Sequence, residues 1–267
     1  MSTSAPLSPA LLSLAGLSVS LGGAPVVRGL SLDVAAGEFV GLIGPNGAGK
    51  STLLRAIAGL LPAGGTASFR GRALAALSAS QRAREIAYVP QEHEIAWPVP
   101  VETLVGLGRT PHRSGFAGFS ARDRQAVLSA MERMDVARFA DRPATALSGG
   151  EKARVLIARA LAQETPLFLA DEPAAGLDPA HQIALMRLFR DLAGEGRGVI
   201  ASMHDLGLAG RWCTRLVLLS AGRIVADGLP AAVLTPENLR SIYGVTGFFA
   251  EAEGRLVVQP LDLAGRR

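Results

Sequence analysis

The chain has 267 residues, of which 49% are hydrophobic and 19% are charged. This balance excludes a largely disordered chain, and the length allows one large domain or two small ones with a sizeable core. A single cysteine, Cys213, excludes an internal disulfide framework. Its apolar surroundings favour a small buried side chain over a catalytic thiol.

The net charge of +4 raises the question of a nucleic-acid partner. The arginines are spread along the chain instead of being grouped with aromatic residues, which make up only 5% of it. A platform on which bases could stack is therefore not expected. We predict no nucleic-acid partner and attribute the charge to solvated helix faces, phosphate ligands and a nearby anionic membrane surface.

We expect no signal peptide at the beginning of the chain. It has no positively charged leader, and its apolar stretch is broken by serines and prolines. We expect residues 1–10 to form a flexible tail. Other apolar runs end well before the roughly 18 to 20 residues that a membrane span needs, so a soluble chain is expected.

The predicted elements change from antiparallel strands to alternating strands and helices. Alternating apolar stretches at 12–21 and 26–34 predict two early antiparallel strands. The continuous apolar run "FVGLIG" then leads into a helical pattern that closes at Gly59, and the same change returns at "PLFLADEP" and "GVIASMH". This alternation predicts an α/β fold with a mostly parallel core sheet flanked by helices.

The middle of the chain is predicted to be helical. "VETLVGLGR" and "SARDRQAVLSAMERM" have helical spacing, and Ser120 opens the second with Asp123 three residues later in a capping pattern. Strands of comparable strength are absent from this part of the sequence. We expect an inserted helical subdomain at about 92–160 within a domain spanning 11–246, followed by a C-terminal tail at 247–267.

A glycine-rich loop is the first candidate site. "GPNGAGKS" fits the pattern G-x-x-x-x-G-K-[ST], with a strand before it and a helix after it. Its glycines allow a tight loop that turns backbone N–H groups towards phosphate oxygens. Lys50 would reach the β- and γ-phosphates of ATP, and Ser51 would bind Mg²⁺. The expected nucleotide-binding residues are Gly44, Pro45, Asn46, Gly47, Ala48, Gly49, Lys50, Ser51 and Thr52.

Two carboxylates follow a later buried strand. Asp171 ends "LFLAD" and is expected to hold the coordination shell of the metal ion. Glu172 could polarise a water molecule facing the γ-phosphate. Such a pair is more often a helix cap when it stands alone. Its combination with the upstream phosphate loop favours catalysis.

At these residues the sequence resembles the ATP-binding subunit of an ABC transporter. "LSGGE" matches the signature motif of that family, Gln91 its Q-loop, Asp178 its D-loop and His204 its switch histidine, and the agreement extends over about 12–245. The resemblance implies a P-loop NTPase fold of the ABC type with an N-terminal antiparallel β subdomain. It also implies catalytic roles for Glu172, His204 and Lys50, and Mg²⁺ binding by Ser51, Gln91 and Asp171.

The resemblance also implies that two copies pack head to tail. ATP on the phosphate loop of one copy would be covered by Ser148, Gly149 and Gly150 of the other, whose hydroxyl and N–H donors begin a long helix. Asp178 would also lie in this nucleotide site. The other histidines, His93, His112 and His181, lack metal-ligand spacing, so we expect none of them to bind a metal.

One position departs from the family pattern. The family usually carries an aromatic residue that stacks on adenine in the first hairpin, where this chain has Leu21. Stacking of a base on an aromatic side chain contributes about 1–3 kcal/mol. Its loss predicts weaker nucleotide binding unless another side chain compensates.

The cargo is inferred from kinship alone. The stretches "LGRTPH" and "SIYGV" resemble the subfamily that powers bacterial uptake of iron chelates, namely ferric siderophores and haem, with cobalamin in close relatives. This implies permease partners, an indirect substrate-binding partner and a place at the cytoplasmic face of the bacterial plasma membrane. The alternatives are an importer ATPase for a metal ion or amino acid and, less favoured, a non-transport ABC ATPase acting on DNA or ribosomes.

Overall fold

The structure, a computed structural model, describes residues 10–92, 94–113 and 118–265. In this part of the chain, helices flank a central sheet, an antiparallel sheet lies at the N-terminal side, and a two-stranded hairpin lies at the C-terminal end. Within the same residues, no helix is both long and apolar enough to cross a membrane.

The N-terminal sheet has four strands in the order β2-β1-β4-β5. They are β1 (Leu12–Leu21), β2 (Ala24–Val34), β4 (Gly64–Phe69) and β5 (Arg72–Ala73). The two strands predicted from alternating apolar residues pair antiparallel, as expected. Leu12, Leu14, Leu17 and Val19 of β1 are all buried, so the apolar positions of this strand form the inner face of the sheet.

The central sheet has six strands in the order β10-β9-β3-β8-β7-β6. They are β3 (Phe39–Ile43), β6 (Ile86–Val89), β7 (Leu167–Ala170), β8 (Gly198–Ser202), β9 (Arg215–Ser220) and β10 (Arg223–Gly228). All neighbours pair in parallel except β10, which runs antiparallel to β9 at one edge. The mostly parallel core sheet predicted from the sequence is confirmed.

Both faces of the central sheet are covered, which explains why its strands are continuous apolar runs. Phe39 and Ile43 of β3 pack in a core with the helical subdomain, while Val40 and Leu42 pack in a second core with the N-terminal sheet. The helices outside the helical subdomain are α1 (Lys50–Ala58), α2 (Ala79–Glu85), α6 (Pro179–Gly194), α7 (Leu206–Trp212), α8 (Pro230–Val233) and α9 (Pro236–Asn238).

The parallel arrangement places the carboxyl ends of four neighbouring strands at one edge of the sheet. Gly44 follows β3, Gln91 lies just beyond β6, Asp171 follows β7, and His204 lies just beyond β8. Residues that are far apart in the sequence therefore meet at this edge.

The helical middle contains α3 (Val101–Gly106), α4 (Ala121–Arg133) and α5 (Gly149–Leu161), together with a 3-10 segment at Leu107–His112. Short 3-10 turns also occur at Ala137–Phe139 and Ala144–Ala146. As expected, Ser120 and Asp123 form a reciprocal capping box at the start of α4. Between positions 101 and 163, the described residues contain no strand.

A buried ion pair connects the parts of this helical subdomain. Arg109, which is 2% exposed, donates from Nε to Asp123 Oδ1 at 2.9 Å. Its Nη1 donates to the Ala162 carbonyl oxygen at 2.7 Å and to Glu164 Oε2 at 2.8 Å. The Ser120 hydroxyl and the Arg109 guanidinium hold the pKa of the Asp123 carboxyl below its usual range. Arg109 thus joins the start of α4 to the residues that follow α5.

The end of the chain differs from the expected tail at 247–267. Strands β11 (Val245–Ala252) and β12 (Arg255–Leu263) form an antiparallel hairpin that packs against α7. The reason is an apolar inner face: Val258 is 2% exposed, and Phe249 and Leu256 pack partly buried against the core. The ordered hairpin corrects the expectation of a tail.

We expect Arg109→Leu to destabilise the protein by roughly 3–5 kcal/mol, because it leaves the Asp123 carboxylate buried without its cation. The matched control is Arg122→Leu. Arg122 has a side chain that is 81% exposed and pairs with Glu164 at 3.5 Å. Its loss should cost less than about 1 kcal/mol. Urea unfolding of both variants measures the difference, and equal shifts would show that the buried pair has no special role.

Candidate nucleotide site

The phosphate loop between β3 and α1 depends on glycine at two positions. Gly44 has φ 143°, and an added Cβ there would overlap the Leu219 carbonyl oxygen. Gly49 has φ 102° and caps α1 in the left-handed region. Since the loop turns directly into the N-terminus of α1, backbone N–H groups and the helix dipole are directed to the same place, which suits an anion.

Lys50, the first residue of α1, is 5% exposed. Its Nζ donates to the carbonyl oxygens of Gly44 at 2.7 Å and Pro45 at 3.2 Å. Burial lowers the pKa of the Lys50 ammonium, while the nearby carboxylates of Glu172 and Asp171 raise it. The ammonium therefore lies inside the loop with two carboxylates in its electrostatic neighbourhood.

Asp171 lies directly after β7 and is completely buried. Its Oδ1 accepts hydrogen bonds from the Ser51 hydroxyl at 3.0 Å and the Ser202 hydroxyl at 2.7 Å. Its Oδ2 accepts from the Tyr88 hydroxyl at 3.5 Å. The oxygen donors of Ser51 and Asp171 fit Mg²⁺, which is usually held by one or two carboxylates together with phosphate oxygens. Within the described residues, no cluster of three or more His, Cys, Asp or Glu side chains could form a complete metal cage by itself.

Glu172 occupies a strained backbone conformation with φ 49°. Its N–H donates to Ser202 Oγ at 2.7 Å, which holds the backbone in place. The side-chain carboxylate accepts from Gln91 Nε2 at 2.8 Å through one oxygen and is in hydrogen-bond contact with His204 Nε2 through the other. The Glu172 side chain is 15% exposed and that of His204 is 45% exposed.

These groups line one open cleft of about 450 Å³. Its wall combines the phosphate loop with the Q-loop glutamine, the carboxylate and the histidine, and includes Val26, Asn46, Gly47, Ala48, Gly49, Lys50, Ser51, Thr52, Gln91, Glu172 and His204. The single chain therefore brings together most of the residues expected to bind and hydrolyse a nucleotide.

The residues of the second expected cradle lie elsewhere. Ser148 caps α5 and exchanges hydrogen bonds with Glu151, and Ser148 and Gly149 are exposed. Of the described residues that line the cleft, none belongs to 147–151. Asp178 is the N-cap of α6, where it accepts from the His181 N–H at 3.0 Å. The structure thus separates Ser148 and Asp178 from the phosphate loop of the same chain.

A model of the ABC transporter family matches residues 27–175. The chain belongs to the ABC transporter family.

Curated relatives in this family are similar over most of the chain. A hemin import ATP-binding protein of Streptomyces coelicolor is 45% identical over 92% of this chain and 88% of its own length. A hemin import ATP-binding protein of Pseudomonas aeruginosa is 43% identical over 88% of this chain and 93% of its own length. A cobalamin import ATP-binding protein of Halobacterium salinarum is 44% identical over 94% of this chain. The chain spans 63% of the length of that Halobacterium protein.

Solved ABC structures share the fold. A transporter assigned to the metal-chelate type, in an inward-facing conformation, aligns with a TM-score of 0.81 at 27% identity, covering 96% of this chain and 98% of its own. A dimeric ATP-binding cassette in a post-hydrolysis state, bound to ADP and Pi, aligns with a TM-score of 0.74 at 27% identity, covering 82% of this chain and 99% of its own. The expected ABC-type α/β fold is confirmed.

Leu21, the residue that departs from the family pattern, lies at the end of β1 and is 43% exposed. Leu21 does not line the phosphate cleft, whereas Val26 from the neighbouring strand does. The consequence for nucleotide affinity stays a prediction.

The other histidines have local contacts. His112 Nε2 lies 2.8 Å from the Gln163 carbonyl oxygen, and His181 Nδ1 lies 2.5 Å from Asp178 Oδ2. His93 lies outside the described residues.

Two polar residues of the site were missed in the sequence. Ser202 is completely buried and connects Asp171 to the backbone of Glu172. Tyr88 reaches Asp171 from β6, and the nearby Tyr88 hydroxyl raises the pKa of the Arg55 guanidinium. The sequence feature that could have identified Ser202 is its hydroxyl in an otherwise apolar strand. A buried hydroxyl needs a hydrogen-bond partner.

We expect Ser202→Ala to lower the rate of ATP hydrolysis by roughly 10- to 100-fold, because it releases Asp171 and removes the acceptor of the Glu172 N–H. The matched control is Thr165→Ala, which removes a hydroxyl that is also buried and that donates to the Leu167 carbonyl oxygen at 2.9 Å. Steady-state kinetics and thermal unfolding measure both variants. A loss of turnover in Thr165→Ala as large as that in Ser202→Ala would refute a specific role for Ser202.

Proposed function

We propose that this chain is the ATP-hydrolysing subunit of an importer, that it acts as a dimer with separate permease subunits, and that its cargo is an iron chelate or cobalamin. The observation that carries the proposal is the meeting of the phosphate loop, Asp171, Glu172 and His204 at one edge of the sheet. A fold by itself supports no function, but this set of groups is suited to phosphoryl transfer to water.

ATP binding uses the cation and the oxygen donors of the cleft. Lys50 has to turn from the carbonyl oxygens of Gly44 and Pro45 towards the β- and γ-phosphates, which offer full negative charges in their place. Ser51, Asp171 and Gln91 supply the oxygens that would hold Mg²⁺. When it is bound, Mg²⁺ supplies charge neutralisation of the phosphates.

In this proposal, Glu172 accepts a proton from the attacking water. The water oxygen bonds to the γ-phosphorus, the bond from that phosphorus to the bridging oxygen of ADP breaks, and Glu172 takes the proton. Gln91 and His204 already hold the two carboxylate oxygens, which orients the base before ATP arrives. The His204 side chain is 45% exposed, compared with 15% for Glu172, so it can turn to the γ-phosphate.

A second copy of the chain completes the site in this proposal. The N-terminus of α5 with Ser148 is exposed, so its N–H groups and helix dipole can receive the γ-phosphate bound to another copy. The D-loop lies beside the start of α5. Leu177, which precedes Asp178, is so near that its Cδ2 would stand 3.7 Å from a Cβ added to Gly150. The dimeric cassette among the structural relatives supports this assembly.

Membrane partners are supported by the surface of the helical subdomain. Among the described residues, four large apolar side chains there are exposed: Trp97 at 75%, Leu107 at 53%, Leu128 at 46% and Phe119 at 37%. They follow Gln91 in the chain. A permease segment that docks on them could therefore be coupled to the position of the Q-loop. Such an importer subunit is peripheral to the cytoplasmic face of the membrane and acts together with a substrate-binding protein.

The cargo rests on kinship with the hemin and cobalamin import proteins. The "LGRTPH" stretch is a scaffold in the structure, because its Arg109 is buried in the ion pair with Asp123. It therefore marks the subfamily without touching cargo. An importer ATPase for a metal ion or amino acid is the alternative, and a non-transport ABC ATPase is disfavoured.

We expect Glu172→Gln to keep ATP binding and to lower the hydrolysis rate by roughly 10²- to 10⁴-fold, the usual contribution of a general base. Glu237→Gln, an exposed change on α9, is the matched control and should leave the rate unchanged. ATP titration and phosphate release measure the two effects. Near-normal hydrolysis in Glu172→Gln would remove Glu172 from its assigned role.

The cargo is tested by uptake of labelled ferric siderophore, haem and cobalamin in cells that lack this chain. We expect one uptake activity to be lost, restored by the wild-type gene and not by Lys50→Ala, because Lys50 is needed for ATP binding. Unchanged uptake of all three compounds would contradict the cargo proposal and favour the alternative importer.

A further inference from the structure

The C-terminal hairpin is held tightly against the helix that follows the switch histidine. Helix α7 begins two residues after His204, with Asp205 as its N-cap. At Gly207 on this helix, an added Cβ would stand 3.1 Å from the Val258 carbonyl oxygen of β12 and 3.1 Å from Asp205 Oδ1. Glycine allows the backbone of the hairpin to approach the first turn of α7.

The other end of α7 carries further contacts to the hairpin. Arg211 pairs with Glu253 and donates to the Ala252 carbonyl oxygen at 3.2 Å. The Arg255 guanidinium lies 5.2 Å from the centroid of the Trp212 ring. Since both ends of α7 are held, the position of the hairpin and that of the switch loop are mechanically connected.

Tyr243 lies just before the hairpin, at the end of a π-helical turn (Leu239–Tyr243). Its ring and His204 both line a cavity of about 360 Å³, together with Val258. Burial raises the pKa of the Tyr243 hydroxyl, and the backbone N–H of Gly44 acts on this pKa in the opposite direction. Tyr243 therefore shares a cavity with the switch histidine, and the Gly44 N–H of the phosphate loop is near enough to its hydroxyl to lower the pKa.

The Tyr243 oxygen is buried, and no group in the described part of the chain forms a hydrogen bond of good geometry with it. A buried hydroxyl without a partner costs free energy, and phenylalanine would avoid that cost in the same space. Retention of an unpaired polar group beside the phosphate loop points to a hydrogen bond that forms in another state of the site.

We propose that Tyr243 is a positioning residue for ATP hydrolysis: its hydroxyl accepts the Gly44 N–H when ATP closes the site, and its ring keeps the wall beside His204 in place. This role rests on the proposed function. It makes the C-terminal hairpin part of the catalytic apparatus, because the hairpin sets the position of Tyr243 through the Gly244 carbonyl oxygen, which accepts from the Ala264 N–H at 2.7 Å.

The test is Tyr243→Phe in the full-length chain. We expect kcat to fall about tenfold while the ATP dissociation constant stays within about twofold. The melting temperature should rise by about 2–4 °C, because the unpaired hydroxyl is gone. The matched control is Ser241→Ala, which removes an exposed hydroxyl from the same turn that donates to the Glu237 carbonyl oxygen at 2.8 Å. It should leave kcat unchanged.

Opposite changes in turnover and stability are the signature of the positioning role. An unchanged kcat in Tyr243→Phe overturns the inference. A parallel loss of kcat, ATP affinity and melting temperature also overturns it, since this would show structural support alone. Absence of ATP hydrolysis in the wild-type chain contradicts the proposed function itself, whereas equal activity of wild type and Tyr243→Phe contradicts only the role of Tyr243.

Discussion

The buried carboxylate of Asp171 is the contact on which the rest of the site depends. A buried charge is costly unless it is paired and hydrogen-bonded. Asp171 meets this requirement with hydroxyls from three elements: Ser51 on α1, Ser202 on β8 and Tyr88 on β6. These contacts fix α1, β6 and β8 relative to β7. They also set the place of Glu172, which follows Asp171 directly and is held by Ser202.

The cleft contains only one of the two groups of residues that are proposed to contact ATP. The cleft contains a cation, a base and its orienting partners, but the exposed N-terminus of α5 does not line it. In the proposed dimer, ATP supplies the missing connection because its γ-phosphate is attracted to both Lys50 and the start of α5. Closure would then depend on an intact γ-phosphate, and cleavage of the phosphate would weaken the contact between copies.

Features that depend on local pattern could be predicted from the sequence. Continuous apolar runs predicted the parallel strands, and motif spacing with a family resemblance predicted Lys50 and Glu172 at one cleft. The contact of Ser202 with Asp171 could not be predicted, because it depends on the register between β7 and β8, where Ala170 pairs with Ala201. The C-terminal hairpin was missed because its apolar face has only a few residues, and its stability depends on packing against α7.

The most direct test of the proposed dimer is ATP-dependent dimerisation of a variant that cannot hydrolyse ATP. Glu172→Gln and the double variant Glu172→Gln with Ser148→Arg would be compared by light scattering with and without ATP. We expect both variants to bind ATP equally. The single variant should dimerise, and the double variant should stay monomeric because arginine blocks the start of α5. Equal dimerisation of both variants would contradict the claim that α5 of one copy covers the ATP of the other.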